Sequence, residues 1–433
     1  GQPVEPLERR TAAKRNKARV RLRFLKTDVI DVQTVPALLP FESCVPADPD
    51  PTVFPLDHLA LRGGRNAPAL VFKDRTLSHE ALNARIGLLA GWLKSRVPHA
   101  GARVATWLPK TEMACLMPLA AVRAGLVHVP VNPLLKRGQV AHILADSGAA
   151  LLVSGKARLD TQEPADAVCA AIEETMAWAE AEALGSVLPP SDAAPDSLAA
   201  ILYTSGSTGQ PKGVMLSQAN LWLGAVSVAH YLRIAADDRV LAVLPLAFDY
   251  GQNQLLSTWY AGGAVIPLDY LTPRDVVKAV ARHGVTTIAA VPPLWLQLAE
   301  LDWPEEAARS LRRLTNSGGA LTPDLVRALR TRFPQADLYP MYGLTEAFRS
   351  TYLDPVLVDR HPTSIGRAIP FAEILVVNDA GQAAAPDEEG ELVHTGPLVA
   401  QGYWQDAERT AERFRPAPAF SRLGGLAVWS GDR

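Results

Sequence analysis

Three features of this sequence predict an α/β fold with parallel-rich sheets. Short apolar runs alternate with amphipathic stretches of ten or more residues, the pattern of βαβ units around a parallel sheet. The alternation comes in two blocks, separated by an Ala/Glu-rich, Pro-bounded stretch at 162–195. Beyond about Thr363 the texture changes to short strand-like runs between Gly, Pro and Asp-Glu loops. The expected architecture is two parallel-rich βαβ sheets flanked by helices, plus a smaller β-rich subdomain. On this reading the chain divides into 1–51, 52–197, 198–362 and 363–433.

The first block opens with a strand at 69–72. Ser78 then stands as an N-cap before an apolar period at Leu82, Ile86, Leu89 and Leu93, which predicts a capped amphipathic helix. A strand at 104–108, a helix at 112–124, a strand at 126–131, a helix at 136–146 and a strand at 149–153 complete the block. The stretch at 162–195 reads as helix plus surface loop. The second block offers strands at 199–203, 239–244 and 287–291, and helices at 218–232, 273–283 and 323–332. Strands at 373–378, 390–395 and around Trp429 make up the β-rich part. No internal repeat of solenoid period is present.

Composition narrows the function classes. At 433 residues and 48% hydrophobic content, the chain has material for two or three folding units and is not intrinsically disordered. Lys+Arg total 43 against 45 Asp+Glu, a net charge of -2, which excludes a dedicated nucleic-acid binder with its basic excess. Cys44, Cys115 and Cys169 lie far apart, with neither a disulfide framework nor a CxxC zinc spacing. They read as ordinary thiols in a reducing compartment, and a cytoplasmic location is expected. The best apolar run, 114–131, is broken by Pro118 and Arg123 before it reaches the length of a membrane span. Residues 1–26 are basic with no apolar region after them, so they are not a secretory signal. They read either as an arm for an anionic partner or as a solvated extension, followed by irregular chain at 34–55.

The segment from Tyr203 to Val214 is the most informative. Thr204, Ser205, Gly206, Ser207, Thr208 and Gly209, followed by Gln210, Pro211, Lys212 and Gly213, combine glycine freedom, hydroxyl donors and one placed cation. Backbone N–H groups can converge on an anion in such a loop, and Lys212 adds a point charge for phosphate oxygens. The spacing is not that of a Walker A loop, since Pro211 precedes the lysine and Gly213 follows it. The reading places this loop between a strand and a helix. A bare Ser/Gly linker would explain neither that position nor the lysine.

Further motifs follow in order: Ser317-Gly318-Gly319-Ala320-Leu321, Tyr342-Gly343-Leu344-Thr345-Glu346, Gly390-Glu391-Leu392 with Gly402-Tyr403-Trp404, and Ser430-Gly431-Asp432. Together with the Ser/Thr/Gly loop they closely resemble the signatures of the AMP-forming adenylating enzymes. That superfamily includes acyl-CoA synthetases, peptide-synthetase adenylation domains and luciferases. The resemblance runs from roughly residue 52 to the end and omits the basic leader.

The resemblance implies a two-step ligase. A carboxylate attacks the α-phosphorus of ATP to give acyl-adenylate and pyrophosphate, and a thiol then displaces AMP. The thiol belongs to CoA or to the phosphopantetheine of an acyl or peptidyl carrier protein. By the same resemblance Thr204–Lys212 holds the β- and γ-phosphates, with Gly319, Ala320, Tyr342 and Gly343 near adenine. Thr345 contacts the α-phosphate, Glu346 helps hold Mg²⁺, and Asp432 accepts from the ribose hydroxyls. Thr345, Glu346 and Lys212 are the candidate catalytic residues. Taken alone, a Glu is more often a solvated charge and a Tyr more often core.

The acid pocket departs from the acyl-CoA synthetase pattern. Phe248-Asp249 stands where many of those enzymes carry a histidine, and it resembles the opening of the amino-acid-activating pattern, in which Asp binds the α-ammonium. A carboxylate in an apolar pocket needs a cation, which a substrate ammonium would supply. Two blander readings stay open: Asp249 pairs with Arg349, or it is solvated at the mouth of an acyl tunnel. Tyr250, Asn253, Asn316, Gly318, Met341 and Ser350 are the other expected pocket positions, and their mixed polarity favours a small polar acid.

The resemblance also implies a smaller C-terminal lid domain after the Ser430-Gly431-Asp432 motif, bearing a lysine that assists adenylation. That domain is absent from these 433 residues, so slow adenylation is expected. A nucleotide-binding module without turnover and a P-loop NTPase releasing ADP are the competing classes.

Overall fold

The computed structural model describes residues 49–204 and 211–433. The basic leader, Cys44 and the loop residues Ser205, Gly206, Ser207, Thr208 and Gly209 lie outside the described residues. The chain opens with β1 (Pro68–Val71), β2 (Thr76–Ser78), α1 (His79–Arg96), β3 (Arg103–Trp107), α2 (Glu112–Arg123) and β4 (Val127–Pro130). Next come α3 (Arg137–Ser147), β5 (Ala149–Ser154), α4 (Lys156–Leu159), β6 (Ala170–Glu173), α5 (Glu174–Leu184), β7 (Leu198–Thr204) and β8 (Lys212–Ser217). They are followed by α6 (Gln218–Tyr231), β9 (Arg239–Ala242), α7 (Asp249–Tyr260), β10 (Ala264–Pro267), α8 (Pro273–His283), β11 (Thr287–Ala290), α9 (Pro292–Glu300) and α10 (Glu305–Ser310). The last run is β12 (Arg313–Asn316), α11 (Pro323–Arg332), β13 (Asp337–Tyr342), β14 (Thr351–Tyr352), β15 (Arg367–Ala368), β16 (Glu373–Val377), β17 (Glu391–Thr395), α12 (Ala407–Arg413), β18 (Phe414–Pro416) and β19 (Leu426–Trp429).

These strands form three sheets. One has the order β6-β5-β3-β4-β7-β8 and is parallel except for β8. The largest runs β15-β14-β13-β12-β11-β9-β10-β1-β2, parallel from β13 to β1 with antiparallel edges. The third, β16-β17-β19-β18, is antiparallel throughout. The expected α/β architecture with a small β-rich part is what the chain adopts. Sheet membership does not follow the division at 197/198. The hairpin of β7 and β8 completes the smaller parallel-rich sheet, whereas β1 and β2 join the larger one.

Local chemistry explains several element ends. Ser78, Thr111 and Ser217 each accept from a backbone N–H in the first turn of the helix that follows, as N-caps do. Gly148 and Gly284 end α3 and α8 in the left-handed conformation that glycine adopts without a Cβ clash. The apolar run at 114–131 becomes the buried twelve-residue α2 and the strand β4. Among the described residues no helix is long and apolar enough to cross a membrane. One apolar cluster runs from the smaller parallel-rich sheet through α1, α2, α6 and α7 to β1 and β10, so both large sheets share a core.

The loop at 205–210 joins two strands rather than a strand and a helix, which corrects the sequence-based placement. β8 pairs antiparallel with β7, from Thr204 opposite Lys212 to Leu198 opposite Ser217, and α6 starts only after β8. Lys-Gly-Val-Met-Leu-Ser carries its strand signal in few residues and merges with the loop in sequence. Its outer edge is covered: Trp404 N–H bonds the Gly213 carbonyl and Met215 N–H bonds that of Gly402. Within 162–195 the structure also has β6 ahead of α5, where only helix and loop were expected.

Candidate active site

The candidate residues gather at the carboxyl ends of the parallel strands of the largest sheet. Such crevices are where open α/β sheets bind ligands. Asn316 ends β12 and Tyr342 ends β13. Asp249 opens α7 just beyond β9, in the first helical turn where the helix dipole favours a carboxylate. Thr345 and Glu346 sit on a single helical turn, Thr345–Ala347, after β13.

Lys212, at the start of β8, enters from the neighbouring sheet. Its Nζ lies 2.9 Å from Glu346 Oε1 and donates to the Tyr403 hydroxyl at 2.7 Å. Tyr403 in turn donates to Glu346 Oε1 at 2.6 Å, closing a three-membered cluster. Burial by itself would raise the Glu346 pKa. The Tyr403 hydrogen bond and the Lys212 ammonium outweigh it and hold the carboxyl below its ordinary range. A carboxylate kept anionic is what a hard cation needs, so Glu346 would suit an oxygen ligand for Mg²⁺. Thr204 closes β7 opposite Lys212, and its buried hydroxyl has no partner among the described residues.

Tyr342 and Asp432 meet on the other side of the crevice, where the tyrosine hydroxyl donates to the aspartate. Burial first, and then Asp432, push the Tyr342 pKa up, so the phenol stays protonated. His394 on β17 lies with its ring 5.9 Å from that of Tyr342. Neither of its ring nitrogens has a partner among the described residues, and burial lowers its pKa to about 3. Gly318, Gly319 and Ala320 form an exposed turn after β12, pinned by Asn316 Nδ2 donating to the Gly319 carbonyl at 2.8 Å. Gly318 has φ +77°, which a Cβ would strain. Gly343 lets the backbone pass close to Arg349, whose Cα would lie 3.0 Å from an added Cβ.

The pocket residues converge around Asp249. Thr345 Oγ1 donates to Asp249 Oδ1 at 3.2 Å, and Arg349 Nη2 lies 3.9 Å from Oδ2. Burial raises the Asp249 pKa, and Arg349 and Thr345 oppose that rise without cancelling it. The Arg349 guanidinium lies 4.4 Å from the ring centroid of Tyr250, whose hydroxyl shares a hydrogen bond with Thr315 Oγ1 at 2.7 Å. Asn253, Met341 and Ser350 are buried around them.

Sequence reasoning quoted Tyr403 within a motif but gave it no role. Its position in the Gly402-Tyr403-Trp404 motif was the available signal. Thr315 and the backbone of Phe348, at φ 63°, had no signal in the sequence.

The AMP-binding enzyme family matches residues 57–404. The chain belongs to this family. A feruloyl-CoA synthase from Amycolatopsis sp. is 32% identical over 376 residues, covering 85% of this chain and 74% of the relative. The crystal structure of VinN superposes with a TM-score of 0.78 at 28% identity, over 88% of this chain and 95% of VinN. VinN has also been solved in complex with L-aspartate (TM-score 0.76, 83% and 93% coverage). ATP-bound MatB from Rhodopseudomonas palustris gives 0.75 at 26% identity, over 84% of this chain and 74% of MatB. As an AMP-binding enzyme, the chain shares its fold with AMP-forming ligases.

Proposed function

We propose that the chain activates a small carboxylic acid with ATP and passes the acyl group to a thiol. The observation that carries this reading is the Lys212–Glu346–Tyr403 cluster beside the phosphate-loop hairpin, with Tyr342 and Asp432 across the same crevice. An acid oxygen attacks the α-phosphorus as the bond to the β-phosphate breaks, and pyrophosphate leaves. A thiol sulfur then attacks the acyl carbon, its proton is lost, and AMP departs. Lys212 and Thr204 are assigned to phosphate oxygens, with Ser205, Gly206, Ser207, Thr208 and Gly209. Thr345 is assigned to the α-phosphate, and Asp432 and Tyr342 to the nucleoside. Positioning and charge neutralisation dominate this chemistry. Mg²⁺ at Glu346 supplies charge neutralisation on the phosphates when bound. A reducing compartment such as the cytoplasm suits a reaction that consumes ATP and a free thiol, CoA or carrier-protein phosphopantetheine.

A second reading narrows the acid to an amino acid. It is favoured by Asp249, a largely buried carboxylate with only a loose cation partner, and by the likeness to VinN, solved with L-aspartate. ATP–pyrophosphate exchange across fatty, aryl and amino acids tests both. Acid-dependent exchange is expected, and ADP plus phosphate as products would sink the ligase reading. If Asp249→Ala leaves amino-acid-dependent exchange untouched, the ammonium role is wrong.

A further inference from the structure

Arg349 is buried to 2% exposure yet is not fully bonded. Among the described residues its Nη2 has no hydrogen-bond acceptor, since the nearest carboxylate oxygen, on Asp249, stands off at 3.9 Å. Its Nη1 reaches only the Met341 sulfur at 3.7 Å, a weak acceptor. Asn253, on α7 and equally buried, has an Nδ2 without an acceptor. Both residues line a cavity of about 20 Å³. That is room for a water-sized polar group beside both donors. A donor left unpaired in such a place costs on the order of 1–3 kcal/mol, and more when charged.

The backbone is held to keep Arg349 there. Phe348, the preceding residue, has φ 63° and ψ -81°, the rare and strained γ-turn region. Its ring is fully buried against Gly224 of α6, where an added Cβ would lie 2.3 Å from ring carbon Cζ. Strain of this kind persists only where the surroundings over-determine it, and it clusters at ligand clamps.

Charge then decides what the pocket takes. Arg349 and Asp249 face each other too far apart for a hydrogen bond. A substrate with an ammonium alone would draw off Asp249 and leave Arg349 buried and unmatched. A second carboxylate alone would do the reverse. An acid carrying both satisfies both. Gln254 lines the same cavity with its Oε1 unpartnered, an acceptor that also suits an ammonium. We propose that Arg349 and Asn253 bind a second carboxylate on the substrate, and that the acid activated is a short amino-dicarboxylic acid with its ammonium at Asp249. This rests on the ligase reading and on its amino-acid form.

The test is pyrophosphate exchange with aspartate, glutamate, their amides asparagine and glutamine, succinate and ferulate. It is run on the full chain and on Arg349→Gln, Arg349→Lys and Gly224→Ala, with AMP binding by calorimetry as the control for folding. An acidic amino acid should exceed its amide in kcat/KM by at least about tenfold, because a buried donor pair rejects a ligand that cannot match it. Arg349→Gln should remove that preference mainly through KM with AMP affinity unchanged, and Arg349→Lys should restore part of it. Gly224→Ala should weaken it by displacing Phe348. Best exchange with an amide, succinate or ferulate overturns the amino-dicarboxylate assignment and leaves the ligase reading standing. Preference retained in Arg349→Gln overturns the anchor. If AMP binds but no acid supports exchange, the ligase reading fails, and this one with it.

Discussion

Tyr403 shows how one hydroxyl can couple two charges. It accepts from Lys212 and donates to Glu346, so it keeps the carboxylate anionic while sharing the ammonium. If Lys212 takes phosphate oxygens as proposed, it would be drawn partly away from Glu346, and the tyrosine would remain as the carboxylate's donor. Tyr403→Phe removes a hydrogen bond to a charged group, worth about 1.5–3 kcal/mol. Acid-dependent pyrophosphate exchange should therefore fall by about ten- to a hundredfold, with AMP affinity nearly unchanged. An unaltered exchange rate would take Tyr403 out of the machinery. Lys212 and Glu346 could be singled out in the sequence, the first by its Ser/Thr/Gly loop and the second by a motif that resembles a family signature. Tyr403 was hidden because its aromatic neighbour Trp404 and its own ring read equally well as core. The Arg349–Asp249 pairing was foreseen as one of the open readings, but the 3.9 Å gap between the two groups could not be read from residue types.

Among the elements, the helices with an apolar face and a cap were legible, and α8 and α11 match their expected bounds residue for residue. The four-residue strands β1, β4, β9 and β11 were expected, whereas β10, β12 and β13 were not. Buried strands inside a parallel sheet show no alternation, and β12 ends in polar Thr315 and Asn316, which bond the Tyr250 hydroxyl and the Gly319 carbonyl. α7 buries Gln252, Asn253 and Gln254 ahead of Leu255, Leu256 and Trp259, so its apolar signal is confined to its second half and its first turns read as polar. In the small antiparallel sheet, Glu373 on β16 fastens the 421–423 turn. Its carboxylate accepts from Ser421 Oγ at 2.7 Å and from the backbone N–H of Arg422 and Leu423 at 3.0 and 3.2 Å. Burial alone would raise its pKa, but these bonds pull it from the ordinary 4.5 down to about 2. A carboxyl with a depressed folded pKa stabilises the fold fully above its unfolded value and loses that contribution as pH falls through the folded one. Glu373→Gln should cost about 1–3 kcal/mol at pH 6. The gap to the parent chain should then shrink between pH 4.5 and 2, as read by urea denaturation at each pH. A gap independent of pH would assign the residue a packing role only.

At the scale of the whole molecule, the site belongs to no single sheet. Lys212 comes from the smaller parallel-rich sheet, Tyr342 ends a strand of the largest, and His394 lies in the antiparallel one, with Asp432 three residues beyond β19. Backbone bonds knit the three at the same place. Ala400 N–H bonds the Glu346 carbonyl, Trp404 N–H that of Gly213, and Leu392 N–H that of Asp432. A nucleotide occupying this junction would touch all three sheets and stabilise them as one cooperative unit. At a hundredfold excess over its dissociation constant, such a ligand adds about 2.7 kcal/mol to global stability. Hydrogen exchange with and without AMP should therefore slow together in β8, in the Thr345–Ala347 turn and in β17 and β19, with one upward shift of a single melting transition. Protection confined to one sheet, or a melt that splits on adding AMP, would mean that the nucleotide is held by that sheet alone and that the junction is only packing.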